Sequence, residues 1–405
     1  MVIIKSVFAK HILDSRKEKT ILVSIDTNVG KFSASAPNGK SRGKHEAQPY
    51  KKTLEKDIET LRKFSDYFSD EIIDEFKDLR RVEDVVDGHI GANSLFALES
   101  AILKALAKEK KKEIWQLINP KLSLKNAKFP RLVGNCIEGG VHAKDTKGKK
   151  PDFQEFHLIP DTQTVLNAIH ADENGKVDAE IILRNVDENF KRKKSDEDAW
   201  QTSLDDKKVL EVLSDVRTNL RDSRKIKVEL GLDIAASTFY KRRKYLYKNP
   251  MLQRTKEEQI SYLSNLIKNF NILYVEDPFD EEDFSGFAEL RKKFPETFIV
   301  GDDLTVTNKK RLRKAIDMKS INAIIVKPNQ NGSLIEVAEI CELACENDIK
   351  IVFSHRSGET EENILADLAF GFQADFFKAG ITGKGRECKI KRLIEIQESL
   401  YNVKE

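Results

Sequence analysis

Six apolar runs in the second half of the sequence each stop on a residue that can hold charge. IKVELGLD ends at Asp233, ILYVED at Glu276 and Asp277, and TFIVGDD at Asp302 and Asp303. AIIVK ends at Lys327, IVFSHRS carries His355, Arg356 and Ser357, and ADFFKAG carries Lys378. Carboxylates at the ends of three successive strands, converging on a water-accessible point, suit Mg²⁺, which takes hard oxygen ligands and keeps exchangeable waters. The same acids would equally serve as ion-pair partners of neighbouring lysines, so the acids alone leave both readings open. Lys327 follows directly. Beside a divalent cation its ammonium form is disfavoured by like charge, leaving an amine able to take a proton at neutral pH. A metal opposite a lysine base fits abstraction of a proton next to a carboxylate, with the cation stabilising the doubly charged intermediate. The donors of SHRS read as an anion site at a strand end, or as a solvated loop.

A repeating unit must position these groups. Between the runs lie segments of helical period, QISYLSNLIKNF, FAELRKKF, SLIEVAEICELACEND and ENILADLAFGF, and run plus segment recurs at about 25 residues. Strands apolar on both faces, each followed by a helix, predict a parallel sheet covered by helices. Upstream, PRLVGNCI and DFQEFHLIP read as two more strands with no helix between them, followed by long helical segments near 161–192 and 204–223. Eight strands can close into a barrel whose strand ends point into one bowl. Neither a G-x-G-x-x-G nor a G-x-x-x-x-G-K-[ST] loop is present to suggest an open nucleotide-binding sheet. Residues 1–128 read differently. VIIKSVFAKHIL, TILVSIDT, the loop SAPNGKSRGKHEA and the helical ANSLFALESAILKALAKE predict a small α+β capping domain whose loops can close over a barrel mouth. The expected division is this domain at 1–128 and a β/α barrel at 129–405.

Composition narrows the function classes. The 70 basic and 67 acidic residues leave a net charge of +3, so no global field favours nucleic acid or an anionic membrane. The lysine runs AKEKKKE and KRKKSDED are interrupted by carboxylates, as solvated faces are. No stretch approaches the roughly 18 apolar residues of a membrane span, and MVIIKSVFAKHILDSR lacks a signal peptide's continuous apolar core. Cys136, Cys341, Cys345 and Cys388 show neither a C-x-x-C pair nor zinc-ligand spacing, and Cys341 and Cys345, four apart in a helical pattern, read as small buried thiols. The expectation is a cytoplasmic protein with a small-molecule substrate and no nucleic-acid or membrane partner.

In order along the chain stand ILDSR, G-x-S-x-G-x-x-EA, GANS, EGGVHA, FQEF, LDIAAS-x-FY, VEDPF, VGDDLTVTN, KPNQNGS, SHRSGETE and FKAG. Through this ordered set the sequence resembles the enolase family over essentially its whole length. The resemblance implies an eight-stranded barrel of ββαα(βα)6 type behind an α+β N-terminal domain. It implies a lyase that reversibly dehydrates 2-phospho-D-glycerate to phosphoenolpyruvate, in glycolysis and gluconeogenesis, with two Mg²⁺ per active site, the second bound with substrate. Carried over position by position, Asp233, Glu276 and Asp302 would hold the first Mg²⁺, and Lys327 would remove the C2 proton. Glu197 of SDED, with Glu155 of QEF, would help the C3 hydroxyl leave, and Lys378 would neutralise the substrate carboxylate. Arg356 and Ser357 would bind the phosphate, and His355 would line the same bowl. His142 of GGVHA and Ser41 of GKSRG would close over substrate, Ser41 meeting the second Mg²⁺. His11, His45, His89, His157 and His170 match no motif and read as structural or solvated. A homodimer or higher homo-oligomer is implied by the resemblance alone.

The chain departs from the family pattern at three places. Lys17-Glu18-Lys19 follows DSR in place of Gly-Asn-Pro, and the closing loop Ser-Gly-Ala-Ser-Thr-Gly is Asn38-Gly39-Lys40-Ser41-Arg42-Gly43. The two added cations would strengthen phosphate attraction or change loop timing. Gly-Asp-Glu-Gly-Gly-Phe is Ser195-Asp196-Glu197-Asp198-Ala199-Trp200. Asp198 and Ala199 resist backbone angles that glycine permits, which would disturb the aim of Glu197, and the charge of Asp198 would raise neighbouring carboxyl pKa values. Two other readings accompany a working enolase: a divergent paralogue dehydrating another 2-hydroxy acid, and a non-catalytic enolase-like binding protein. Decay of the second kind would normally cost an ionisable group of the ring, and every one is present.

Overall fold

The structure, a computed structural model, describes residues 1–40, 43–68, 71–123, 126–143 and 148–402. Ser41 therefore lies outside the described residues. The chain opens with alternation of period two. Val2, Ile4 and Val7 are buried while Ile3 and Phe8 face out, and the strand Val2–Leu13 pairs antiparallel with Lys19–Thr27. Gly30–Ser35 and the short Ile72–Ile73 complete a four-stranded sheet. The helix Ala92–Lys110 is buried along most of its circumference, as expected of a helix with protein on both sides. It packs against this sheet and against the short helix Pro328–Asn331 at the end of a barrel strand. Polar contacts fasten the same junction: Asn329 Nδ2 donates to Asn93 Oδ1 at 2.9 Å, and the Asn38 amide donates to the Gly358 carbonyl at 2.8 Å.

The larger unit is a closed barrel. Its first strand is Arg131–Leu132 continuing as Gly134–Glu138; the second to eighth are Glu155–Pro160, Val228–Asp233, Ile272–Glu276, Phe298–Gly301, Ala323–Val326, Lys350–Ser354 and Phe376–Lys378. The eighth pairs with the start of the first, Phe376 opposite Arg131 and Phe377 opposite Leu132, which shuts the circle. All the neighbours run parallel except the second strand, which is antiparallel to both the first and the third. Two strands joined without a crossover helix must run in opposite directions. The two long helices appear at Val165–Val186 and Asp206–Arg224, and each later strand is followed by a helix, from Lys256–Phe270 to Glu387–Asn402. Local signals set their ends: the Lys256–Phe270 helix starts at a Thr255/Glu258 capping box and stops at Asn271 in the left-handed region.

Apolar side chains fill the barrel interior, with Val133, Ile159, Tyr274, Val300, Ile325, Val352 and Phe376 packed in one cluster. The main core lies outside it, between strands and helices. Cys341 is buried but Cys345 is exposed, because Cys345 sits in the last turn of the Leu334–Glu346 helix. A buried pair of thiols is not what forms. The sequence patterns also missed a three-stranded antiparallel ribbon, Tyr240–Lys241, Lys244–Lys248 and Met251–Arg254, after the third barrel strand.

Candidate active site

Strand register builds one wall of the barrel mouth. Glu138 is paired opposite Glu155, Glu155 opposite Asp233, and Asp233 opposite Glu276, so a row of four acids crosses the first four strands. Because the second strand is reversed, it is the beginning of that strand, Glu155, that reaches the end where the others finish. Acids directly opposite one another repel and need cations among them. Lys378, from the eighth strand, supplies one: its Nζ donates to Asp233 Oδ2 at 3.0 Å and to both oxygens of Glu276 at 3.0 Å, and lies 3.3 Å from Glu155 Oε2. Burial alone would lower the Lys378 pKa, but Asp233, Glu155 and Glu276 hold it well above the usual value. Glu276 is fully buried beneath that ammonium and also accepts from the Tyr274 hydroxyl at 2.7 Å. Burial, with the charge of Asp233, raises its pKa well above the usual carboxyl range.

Lys327 Nζ makes a short hydrogen bond to Asp302 Oδ2. The turn carrying Asp302 is set by Asp277, whose two oxygens accept from the amides of Asp302 at 3.0 Å and Asp303 at 2.7 Å. Burial pushes the Asp302 carboxyl up, but Lys327 outweighs it and keeps Asp302 below its ordinary value. Lys327 responds in kind: burial lowers it, Asp302 raises it, and the net direction is up. That differs from the expected free amine. The difference is one of company, since the expected neighbour was a cation and the neighbour here is an anion.

Glu197 and His142 close on the first end of the acid row, where ligand atoms of Glu138, His142, Glu155 and Glu197 lie within 4.8 Å of one another, and His355 joins them from the end of the seventh strand. His355 Nε2 lies 3.2 Å from Glu197 Oε2, and His142 Nδ1 lies 3.0 Å from Glu138 Oε1 and 3.8 Å from Glu197 Oε1. Burial would raise Glu197, but its contact with His355 and the charge of Arg386 hold it well below the carboxyl range. Glu155 and Glu138 stand on the other side of that range, raised first by burial. Asp198 does take up a left-handed backbone, φ 64°, where glycine would be at ease. Its carboxylate turns away from the site, accepting from Lys176 Nζ at 2.7 Å and Lys194 Nζ at 3.0 Å, with a short bond from the Thr382 hydroxyl. The expectation that Asp198 would misdirect Glu197 and raise its pKa is therefore corrected. Two ammonium groups neutralise Asp198, and Glu197 still faces the cleft.

Arg356 and Ser357 lie at the far end. The Arg356 guanidinium is doubly bonded to Glu46, at 2.9 Å from each terminal nitrogen to Oε1, and also donates to Asn329 Oδ1. Ser357 Oγ accepts from the Lys40 amide at 2.8 Å and from Arg16 Nη1 at 3.1 Å. Lys40 Nζ reaches Asp196 Oδ2 at 3.2 Å, so a loop of the first domain and the Glu197 turn meet across the mouth. A narrow cleft of about 40 Å³ lies between these groups, lined among others by Lys40, Gln154, Asp302, Lys327, His355 and Arg356.

Every expected site residue among those described is gathered at this mouth, Glu276 as its buried floor. Sequence patterns passed over Glu138, Glu46, Arg386 and His157. His157, taken as structural or solvated, is buried with Nε2 2.9 Å from Glu155 Oε2. The strand-end rule, applied to GNCIE as it was to later strands, would have found Glu138. Glu46 stands in the G-x-S-x-G-x-x-EA motif with no role assigned to it, and nothing local marks Arg386 or His157.

An eight-stranded barrel with this acid row and two buried lysines at its mouth defines an enzyme of the β/α-barrel class. Residues 127–404 match the family description "Enolase, C-terminal TIM barrel domain", and residues 4–118 match "Enolase, N-terminal domain". The enolase of Natronomonas pharaonis is 35% identical over 98% of this chain and 99% of its own, that of Halobacterium salinarum 36% over 98% and 99%, and that of Methanosphaera stadtmanae 34% over 99% and 98%. The chain belongs to the enolase family.

Proposed function

We propose that the protein is a phosphopyruvate hydratase, which removes water from 2-phospho-D-glycerate to give phosphoenolpyruvate and catalyses the reverse hydration. The observation that supports this reading is that Lys327, bonded to Asp302, and Glu197, grouped with Glu155 and His142, line one small cleft. In that arrangement Lys327 Nζ, freed of its proton when a cation replaces it beside Asp302, would take the C2 proton, and the C3 hydroxyl would leave as water on a proton from the Glu197–Glu155 pair, of which Glu155 is the one raised by burial. Arg356 and Ser357 receive the phosphate, His355 lines the same bowl, Lys378 balances the carboxylate, and His142 borders the leaving-group side.

A divalent ion fits the residues present. Asp233, Glu276 and Asp302 offer only carboxylate oxygens, and Asp302 Oδ1 is buried with no hydrogen-bond partner among the described residues. Among the described residues, the groups whose ligand atoms lie within 4.8 Å of one another are Asp277, Asp302 and Asp303, and Glu138, His142, Glu155 and Glu197; Asp302 is the member shared with the expected triad, whose Asp233 and Glu276 are drawn to Lys378. Mg²⁺ held by Asp233, Glu276 and Asp302 would stabilise negative charge developing on the substrate carboxylate. A second Mg²⁺ with Ser41 belongs to the same proposal, as do the domain boundary at residue 128, a cytoplasmic location and assembly as a homodimer. No helix among the described residues is long and apolar enough to cross a membrane.

The test is ultraviolet absorbance of the enol phosphate formed from 2-phosphoglycerate, with Mg²⁺ and with chelator. The reading expects Mg²⁺-dependent formation that Lys327→Ala removes. No product with added Mg²⁺ would overturn it in favour of a paralogue acting on another 2-hydroxy acid.

A further inference from the structure

Arg386 is the bulkiest of the fully buried side chains, 1% exposed, yet no carboxylate among the described residues lies within 4.0 Å of it. A guanidinium kept from water needs its donors used. Here Nε donates to His355 Nδ1 at 3.1 Å and Nη2 donates to the Ser357 carbonyl at 3.0 Å. The loop after Lys378 is shaped around this side chain: a Cβ at Gly380, which has φ +71°, would stand 2.8 Å from Arg386 Cδ.

We infer that Arg386 is a positioning residue that fixes the tautomer and orientation of His355 and, through it, the setting of Glu197. A guanidinium has donors only and stays charged. His355 Nδ1 must then present its lone pair, and the ring proton sits on Nε2. That nitrogen lies 3.2 Å from Glu197 Oε2, close enough for its N–H to act on the carboxylate although the present angle is outside hydrogen-bond geometry and Oε2 has no hydrogen-bond partner among the described residues. The backbone amide of His355, donating to the Lys378 carbonyl at 2.8 Å, fixes the other end of the residue. Arg386 thus joins three parts of the cleft, the phosphate-side Ser357, the ring of His355 and the carboxylate of Glu197, without touching the cleft itself. The effect on turnover rests on the dehydration proposed above; the tautomer does not.

Both halves can be read on the full-length protein. With ¹⁵N-labelled histidine, two-bond ¹H–¹⁵N spectra at neutral pH report the tautomer, and His355→Asn identifies the His355 signals. The wild type is expected to show the Nε2–H form alone. Arg386→Met, which keeps the apolar stem, is expected to mix the tautomers and lower kcat by about tenfold or more, with KM changed less than about threefold, while Arg386→Lys restores part of the loss. An Nδ1–H ring or an imidazolium in the wild type would overturn the inference, as would an unchanged His355 spectrum in Arg386→Met. Should Arg386→Met not fold, the wild-type spectrum and Arg386→Lys decide alone: the Nε2–H form in the wild type with altered His355 signals in Arg386→Lys supports the inference, and any other result overturns it. A wild type that leaves 2-phosphoglycerate unchanged but shows the Nε2–H form would end the enolase reading and leave this one standing.

Discussion

Two parts of the cleft are held by different means. On the acid-lined side, Glu138, Glu155, Asp233 and Glu276 stand in one row because the strands are paired in that register, and any side chain placed there would point into the same space. Glu197, which closes on the first end of that row, rides instead on the turn Ser195–Ala199, whose shape is closed by the Ser195 amide donating to the Ala199 carbonyl at 2.9 Å. Its aim depends on what neighbouring side chains touch. The chain departs from its family's pattern on the turn and keeps it on the strands. Where the family has glycine, Asp198 accepts the left-handed backbone and adds a clamp to the loop after Lys378 through Thr382, whose hydroxyl is also bonded by Lys176, the second partner of Asp198. A register-held site tolerates no slip, whereas a turn-held one can change its residues if it acquires new partners.

This contrast can be broken experimentally. The largest effect is expected on the register-held side, where Lys327→Ala should lower kcat by about 10³ and, by leaving Asp302 buried without its cation, cost about 3 kcal/mol of stability as well; retention of more than a tenth of the activity would remove Lys327 from the proton transfer. Asp302→Asn should weaken Mg²⁺ binding, read by calorimetry, by at least about tenfold, and unchanged affinity would move the ion elsewhere. On the turn, Asp198→Gly relieves backbone strain of roughly 1 kcal/mol but strands the buried Lys176 ammonium, a cost of about 3 kcal/mol. The net is a loss of about 2 kcal/mol in denaturant unfolding. Lys176→Met in the same chain should recover most of it, and failure to do so would show that the clamp is not what matters.

The smallest effect lies away from the cleft and serves as a control. Glu99 is buried between the first domain and the barrel, accepting from the Leu334 amide at 2.7 Å. Burial, and then the charge of Glu83, raises its pKa well above the ordinary 4.5. A carboxyl raised on folding binds its proton more tightly in the native state, so its stabilisation is complete below the unfolded pKa and is lost as pH climbs towards the folded one. Glu99→Gln should therefore gain on the wild type in Tm as pH rises above about 4.5. A gap that is flat with pH, or that closes, would contradict the shift.

Much of the barrel was legible because its signals are local. Apolar strand runs alternate with helical periods from Val228 to the end, and the missing helix before Glu155–Pro160 already implies the reversed strand. The acids, lysines and SHRS donors were legible as strand ends. Arg386 was not, because nothing in GKGRECK distinguishes a buried guanidinium from a solvated one. The sign of the Lys327 and Glu197 shifts was equally hidden. Each is a small balance between burial and a partner, and the partners, Asp302 and His355, stand 25 and 158 residues away in the chain.

The amino-acid sequence by itself determined which strands and helices form and which reactive side chains sit at strand ends, since periodicity and capping act over a few neighbouring residues. Only the tertiary structure decided which charges face one another. Barrel closure brings the eighth strand's lysine onto the third and fourth strands' acids, and the turn of Asp198 onto a lysine of the preceding helix. Electrostatic strength depends on separation in space and on exclusion of water, and neither is written in spacing along a chain.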